Sequence, residues 1–189
     1  MTKLERAAET AARYHSGQVR KLGGVPYIIH LYETLGNAAM MTTEEDILAA
    51  ALLHDSLEDT AMTGDILRAE FGDRTADIVL WCSEDKMRDR APTETWQERK
   101  VRGIERMQNA PREAKIVLLA DKLSNIRSIA SYHSRLGDAV WSFFNNFDKG
   151  AQEWAYRSYV DALSDLEDEY PYKELVRLVE EVFGAGFDL

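Results

Sequence analysis

Four ionisable residues fall within six positions: His54, Asp55, Glu58 and Asp59. They follow Ile47-Leu48-Ala49-Ala50-Ala51-Leu52-Leu53, a run with almost no polar face. Charged groups are rarely buried unless they are paired or bound to a metal. An imidazole beside a carboxylate at the end of a buried helix needs a counter-charge, and a divalent cation is the simplest one. Residues four apart share a helix face. If the helix continues, Glu58 therefore lies near His54, and Asp59 near Asp55. The inner pair can hold a metal, and the outer pair can handle the protons of an attacking water. The same residues also read as a satisfied core histidine followed by a solvated acidic helix end. The stretch alone leaves both readings open.

Further ligands have to come from elsewhere, and the only other histidines are His15, His30 and His133. His30 lies in the apolar surround Pro26-Tyr27-Ile28-Ile29-His30. Asp121 lies in Ile116-Val117-Leu118-Leu119-Ala120-Asp121-Lys122-Leu123, an acid where a core residue is expected. Its simpler explanation is an ion pair with Lys122 or Arg127. His30 likewise reads alone as a satisfied core histidine. Taken together, two imidazoles and two carboxylates make a mixed nitrogen and oxygen set. Such a set suits Mn²⁺ or Fe²⁺, with Zn²⁺ and Mg²⁺ as alternatives. His15 and His133 read as ordinary surface or core histidines.

The elements that must position these residues are helical throughout, because apolar residues recur at the helical period. A first amphipathic helix carries Leu4 to Tyr14 and closes at Ser16-Gly17. The segment Gln18 to Pro26 is a loop, since its glycines and proline forbid a helix. A second helix carries His30, Leu31, Leu35, Ala38 and Ala39. Thr42-Thr43-Glu44-Glu45-Asp46 caps the central helix. Thr63 caps a short helix that stops at Gly72, and Asp73 opens the next. Residues 83–93 are charged, contain Pro92 and read as a mobile loop. Helices follow over 95–109 and 114–129, the second buried through Ile116, Leu119, Ala120, Leu123 and Ile126. The aromatic stretch from Trp141 to Tyr159 reads as core or a packing seam, with a base-stacking platform as the less favoured alternative. Pro171 opens a last helix ending near Gly184. No alternating strand, repeat or low-complexity tract is evident. The fold class is all-α, a helical bundle built around a metal site. The 189 residues form a single domain with a core over about 4–130 and a helical extension over 136–189.

Composition limits the partners. A net charge of −10 argues against nucleic acid and against an anionic membrane surface, both of which reward Lys and Arg. It permits a small anionic ligand in a local basic pocket. The single cysteine, Cys82, excludes an intrachain disulfide and a cysteine-based zinc site. The N-terminal residues lack a signal peptide's apolar core and no run is long enough to span a bilayer, so the expected setting is cytoplasmic. The sequence leaves the oligomeric state open.

His30, the His54-Asp55 doublet and Asp121 resemble the H…HD…D signature of HD-domain metal phosphohydrolases. The flanking words narrow the resemblance. Arg20-Lys21-Leu22-Gly23-Gly24-Val25-Pro26-Tyr27-Ile28-Ile29-His30 resembles the RKxGxPYIxH box of the RelA/SpoT-type alarmone hydrolases. Leu52-Leu53-His54-Asp55-Ser56-Leu57-Glu58-Asp59-Thr60 resembles their LLHDxxEDT box, and Leu119-Ala120-Asp121-Lys122-Leu123-Ser124-Asn125-Ile126-Arg127 their LADKLxNxR box. The resemblance implies a small, hydrolase-only member. It implies one Mn²⁺ held by His30, His54, Asp55 and Asp121, with Glu58 and Asp59 handling the attacking water. It further implies that Arg20 and Lys21 line the nucleotide pocket and that Asn125 faces the ribose. The implied reaction releases pyrophosphate from the 3′ position of (p)ppGpp. Lys100 is taken as a further substrate contact, from a group of phosphate-binding candidates with Lys86, Arg88, Arg90, Arg99 and Arg102, most of which read as a solvated face. Leu31 stands where the family often has proline, Ser124 where it has a bulkier residue, and Cys82-Ser83 where it has Val-Thr. These departures bear on the ribose contacts and the pocket wall, not on the metal set. Two alternatives remain: an HD phosphohydrolase for another nucleotide, and a non-catalytic nucleotide-binding sensor.

Overall fold

The computed structural model describes residues 1–186. The helices are α1 (Lys3–Tyr14), α2 (Ile28–Ala38), α3 (Glu45–Leu53), α4 (Ser56–Asp59), α5 (Gly64–Phe71), α6 (Asp73–Cys82), α7 (Pro92–Asn109), α8 (Arg112–Leu136), α9 (Lys149–Ala162) and α10 (Tyr170–Phe183). Short 3₁₀ segments occupy Gly137–Phe143 and Ser164–Leu166. Among the described residues there is no strand, only an isolated antiparallel bridge between Val19 and Pro26.

Local signals account for the helix ends. Thr2 and Glu5 form a reciprocal capping box at the start of α1: the Thr2 hydroxyl accepts from the Glu5 amide at 3.1 Å and the Glu5 carboxylate from the Thr2 amide at 2.7 Å. Thr63 caps α5 by accepting from the Ile66 amide. Pro92 occupies the first turn of α7, so that helix starts three residues earlier than the sequence periodicity places it. α8 likewise extends beyond 129 to Leu136. There its inner face runs out and its buried stripe gives way to exposed residues.

α3 is the centre of the molecule. Ala49 to Leu53 are all fully buried, as an all-round apolar helix must be. α1, α2, α6 and α8 pack around it. α8 carries the second buried run, Ala114 and Ile116 to Asp121, and packs on α2, α3 and α10. The two apolar helices thus bring His54-Asp55 and Asp121 to one interior, and α2 adds His30 to it.

The central helix does not continue through the acidic stretch. α3 ends at Leu53, His54 and Asp55 form a turn, and α4 is a separate four-residue turn. Asp55 has ψ near 0° (−3°), which interrupts the ladder. The Asp55 carbonyl nevertheless accepts from the Glu58 and Asp59 amides at 3.1 and 3.0 Å, so the acidic pair stays one turn beyond the histidine.

The loop over 18–26 is a tight turn. The Arg20 amide donates to the Val25 carbonyl and the Tyr27 amide to the Gln18 carbonyl, each at 2.9 Å. Gly23 has φ +78°, and a Cβ there would stand 2.0 Å from the Tyr132 hydroxyl. Only glycine meets both constraints. α8 is also tied to its neighbours by Arg127. Its guanidinium donates to Glu174 at 2.9 and 2.6 Å and to Asn37 Oδ1 at 2.6 Å, joining α10 and α2 across α8. No helix among the described residues is long and apolar enough to cross a membrane.

Leu31 is fully buried on α2 beside His30. Leu31→Ala is expected to cost about 3 kcal/mol, a fall of roughly 6–12 °C in Tm by calorimetry.

Candidate metal centre and its cavity

His30 and His54 lie 3% exposed or less, with ring centroids 5.2 Å apart in an edge arrangement. His30 Nε2 is 3.2 Å from Asp121 Oδ1 and 3.5 Å from Asp55 Oδ2. His54 Nε2 is 3.1 Å from Asp55 Oδ2 and 3.7 Å from Asp121 Oδ1. Side chains from α2, α8 and the α3–α4 turn therefore converge on one point. Ligand atoms of His30, His54 and Asp121 all lie within 4.8 Å of one another.

The hydrogen bonds behind the rings fix the tautomers. His54 Nδ1 lies 2.9 Å from the Ala51 carbonyl, which can only accept, so Nδ1 carries the proton. His30 Nδ1 lies 2.8 Å from Ser124 Oγ, and that hydroxyl donates onward to Glu33 at 2.6 Å. The hydroxyl proton is thus committed, and His30 Nδ1 must donate. In each neutral ring the Nε2 lone pair then faces the cluster. His54 Nε2 is buried without a hydrogen-bond partner, close to Asp55 but poorly aligned with it. An orphaned buried nitrogen beside two carboxylates fits a cation site.

The electrostatics say the same. Burial opposes a charged His54, but the Asp55 and Asp121 carboxylates outweigh it and hold the imidazole well above its usual range. Burial likewise opposes charge on Asp121, and Lys122 with the two imidazoles pulls its pKa well below the usual value. Asp55 is held down against burial by His54 and His30. The two acids thus favour positive charge at the point where the His54 nitrogen faces them. Tyr27 adds a neutral donor, its hydroxyl 2.6 Å from Asp55 Oδ2. Burial and Asp55 push that phenol's pKa up, so it remains a donor.

One turn on, burial and the Asp55 charge raise Glu58, while Lys86 acts the other way. Glu58 Oε2 pairs with Lys86 Nζ at 2.7 Å, and its Oε1 accepts from the Glu84 amide at 2.8 Å. Asp59 lies 3.5 Å from the same ammonium and lines the cavity beside the cluster.

That cavity has a volume of about 830 Å³. Among the described residues six cations line it, Arg20, Lys21, Lys86, Arg99, Lys100 and Lys122, and one carboxylate, Asp59. Arg20, Lys21, Asn125 and Lys100, the sequence's substrate-contact candidates, all reach this wall. Lys100 also pairs with Glu84 at 2.8 Å. Asn125 donates to Asp121 Oδ1, so it holds a carboxylate of the cluster as well as facing the cavity. Arg90 and Arg102 instead pair with Glu98, and neither lines the cavity.

Several placements differ from the sequence reading. Ser124 is fully buried behind His30 and braces its imidazole, with no place in the cavity wall. Cys82 and Ser83 line a small recess of about 20 Å³, not the main cavity. The segment over 83–91 is tied to Glu58 through Glu84, Lys86 and Arg88 rather than free in solvent. The aromatic stretch divides. Trp141 is buried and stacks on Phe183, whereas Phe144, Tyr156 and Tyr159 form one side of the cavity. His15 is buried, stacked on Tyr27 at 5.4 Å, and holds Gln18. Lys122, read only as a partner for Asp121, pairs with it at 2.6 Å and also lies over the Tyr159 ring.

The family model described as "HD domain" matches residues 7–144. The chain belongs to the HD-domain family. It is 39% identical over 132 residues to the guanosine-3′,5′-bis(diphosphate) 3′-pyrophosphohydrolase MESH1 of Homo sapiens, covering 67% of this chain and 69% of that protein. It is 38% identical over 121 residues to the guanosine-3′,5′-bis(diphosphate) 3′-pyrophosphohydrolase of Haemophilus influenzae, covering 62% of this chain but 17% of that longer protein. A solved structure described as "A metazoan ortholog of SpoT hydrolyzes ppGpp and plays a role in starvation responses" superposes with a TM-score of 0.79 at 24% identity, over 98% of each chain. That likeness shows the shared fold. The matched family region ends near Phe144, so Tyr156 and Tyr159 join the cavity from beyond it.

Ser124→Ala removes the acceptor that orients His30. Outer partners of this kind are worth 10–100-fold in metal affinity. The variant is therefore expected to stay folded and to bind Mn²⁺ roughly 10–100-fold more weakly in a metal titration.

Proposed function

We propose that the chain is a metal-dependent phosphohydrolase that releases pyrophosphate from the 3′ position of guanosine 3′,5′-bis(diphosphate). The observation that carries this reading is a six-cation cavity opening beside the histidine–aspartate cluster in a chain of net charge −10. Positive charge gathered against the overall balance marks a site for a small polyanion. A volume of about 830 Å³ is of the size that holds a nucleotide-sized ligand. The relatives named above carry that activity in their names, and the chain spans about two thirds of the human protein.

His30, His54, Asp55 and Asp121 are the proposed ligands. Two imidazole nitrogens and two carboxylates favour Mn²⁺, with Fe²⁺, Zn²⁺ and Mg²⁺ as alternatives. When bound, such an ion supplies Lewis acidity to a water and to a phosphoryl oxygen. The chain's own residues do the rest. Arg20, Lys21, Lys86 and Lys100 bind phosphate oxygens and spread the charge that builds as the bond to phosphorus forms. Glu58, its pKa raised by burial, accepts the water's proton. The water oxygen bonds to the phosphorus attached to the ribose 3′ oxygen, that phosphorus–oxygen bond breaks, and the proton passes to the departing ribose oxygen. Pyrophosphate and guanosine 5′-diphosphate leave. Asp59 stands at the cavity edge to hold the water. Phe144, Tyr156 and Tyr159 offer apolar faces for the rest of the nucleotide. A nucleotide substrate and a free Cys82 both suit a cytoplasmic setting.

Purified protein with Mn²⁺ is expected to release pyrophosphate from guanosine 3′,5′-bis(diphosphate), and a chelator to abolish this. Turnover of another nucleotide while this one stays intact would redirect the substrate assignment. Glu58→Gln is expected to lower kcat by roughly 10²–10⁴-fold at similar KM, the share a positioned base supplies. An unchanged kcat would remove Glu58 from the base role.

A further inference from the structure

Three groups of one loop converge on Glu58. The Glu84 amide donates to Oε1 at 2.8 Å, the Lys86 ammonium pairs with Oε2 at 2.7 Å, and the Arg88 guanidinium donates to the Glu58 main-chain carbonyl. Met87 sits between the two cations with φ +44°. A non-glycine residue in that region is strained, and such strain persists where surroundings fix it, often at functional sites. On either side of it, Lys86 reaches the carboxylate of Glu58 and Arg88 its main-chain carbonyl.

Lys86 belongs equally to the cavity. It lines the wall with Lys21, Arg99 and Lys100. Lys21 is held below the usual lysine range by burial, then by the charges of Lys86, Arg99 and Lys100, so these cations repel one another across the space. Glu84 engages Lys100 and Arg99, whereas among the described residues the acids paired with Lys86 are Glu58 and Asp59. A polyanion entering the cavity competes with those two carboxylates for this ammonium. An acid still paired to a lysine is a poor proton acceptor, so the exchange would matter to the chemistry.

Resting on the hydrolase reading above, we propose that Lys86 serves two partners in turn. It holds Glu58 and Asp59 in place before substrate binds. It then moves onto the phosphoryl oxygens of the pyrophosphate group, leaving Glu58 free to accept a proton. Lys86 is thus a substrate-binding residue that doubles as the positioning residue for the acidic pair. The Glu84 amide and Arg88 keep Glu58 oriented after the ammonium leaves.

The test compares Lys86→Met and Lys86→Arg with Arg90→Met, a loop cation that pairs with Glu98 outside the cavity. KM and kcat are measured for pyrophosphate release from guanosine 3′,5′-bis(diphosphate). Binding of inorganic pyrophosphate to the full chain is measured by calorimetry in metal-free buffer. Lys86→Met is expected to raise KM and weaken pyrophosphate binding by roughly 10–100-fold, the worth of a charged hydrogen bond, together with a fall in kcat. Lys86→Arg is expected to recover most of the affinity, and Arg90→Met to match the parent chain. A drop in kcat with unchanged KM and pyrophosphate binding would overturn the proposal, because Lys86 would then only brace Glu58. No change in any readout would overturn it equally. Failure of the parent chain to release pyrophosphate would sink the substrate assignment, while the binding comparison would still decide whether Lys86 holds a diphosphate.

Discussion

Two carboxylates and two imidazoles share a buried point, and the structure around them answers that charge. Asp55 and Asp121 cannot be buried as anions without positive charge nearby. The fold supplies it at graded distances. The two imidazoles face the acids at the centre, Lys122 pairs with the outer oxygen of Asp121, and neutral donors from Tyr27 and Asn125 fill remaining lone pairs. The apolar helices α3 and α8 serve this arrangement because their dry surfaces strengthen every interaction within it.

The same logic extends outward. Beyond the histidine–aspartate cluster the charge alternates: Glu58 and Asp59, then Lys86, then Glu84, then Lys100 and Arg99. Four of the cations that face the cavity are backed by an acid: Lys86 by Glu58 and Asp59, Arg99 and Lys100 by Glu84, and Lys122 by Asp121, whereas Arg20 and Lys21 rest on the neutral Ser128 and Asn145. This keeps six positive side chains compatible with a folded wall while leaving their outward hydrogen-bonding capacity for a ligand. A protein with net charge −10 thereby presents its excess positive charge in one concave place.

The core of the candidate centre was legible in the sequence because polar residues at buried helical positions are costly and so conspicuous. His54-Asp55 and Asp121 stand out against Ala49–Leu53 and Ile116–Ala120 for that reason. The all-α class followed from the same periodicity. What was not legible depends on tertiary placement. Asp55 ends the central helix, which periodicity alone continues through it. Ser124 looked like a neighbour of the ribose, yet the helix turns it behind His30. The charged stretch after Cys82 looked solvated, because nothing local reveals that Glu58 accepts from its backbone. Tyr156 and Tyr159 have the spacing of a packing seam, and only the docking of α9 against α7 turns their ring faces to the cavity. Lys122 was hidden by adjacency, since a residue beside an acid reads as its partner and nothing more.

Arg127 gives the distal helix a stake in the chemistry. Its guanidinium spans from Glu174 on α10 to Asn37 on α2, and Asn37 in turn donates to the Ala120 carbonyl, one residue before Asp121. The clasp therefore fastens the last helix to the backbone that carries Asp121. The C-terminal helix thus acts as a buttress: loosening it would disturb the seating of Asp121 from well outside the cavity.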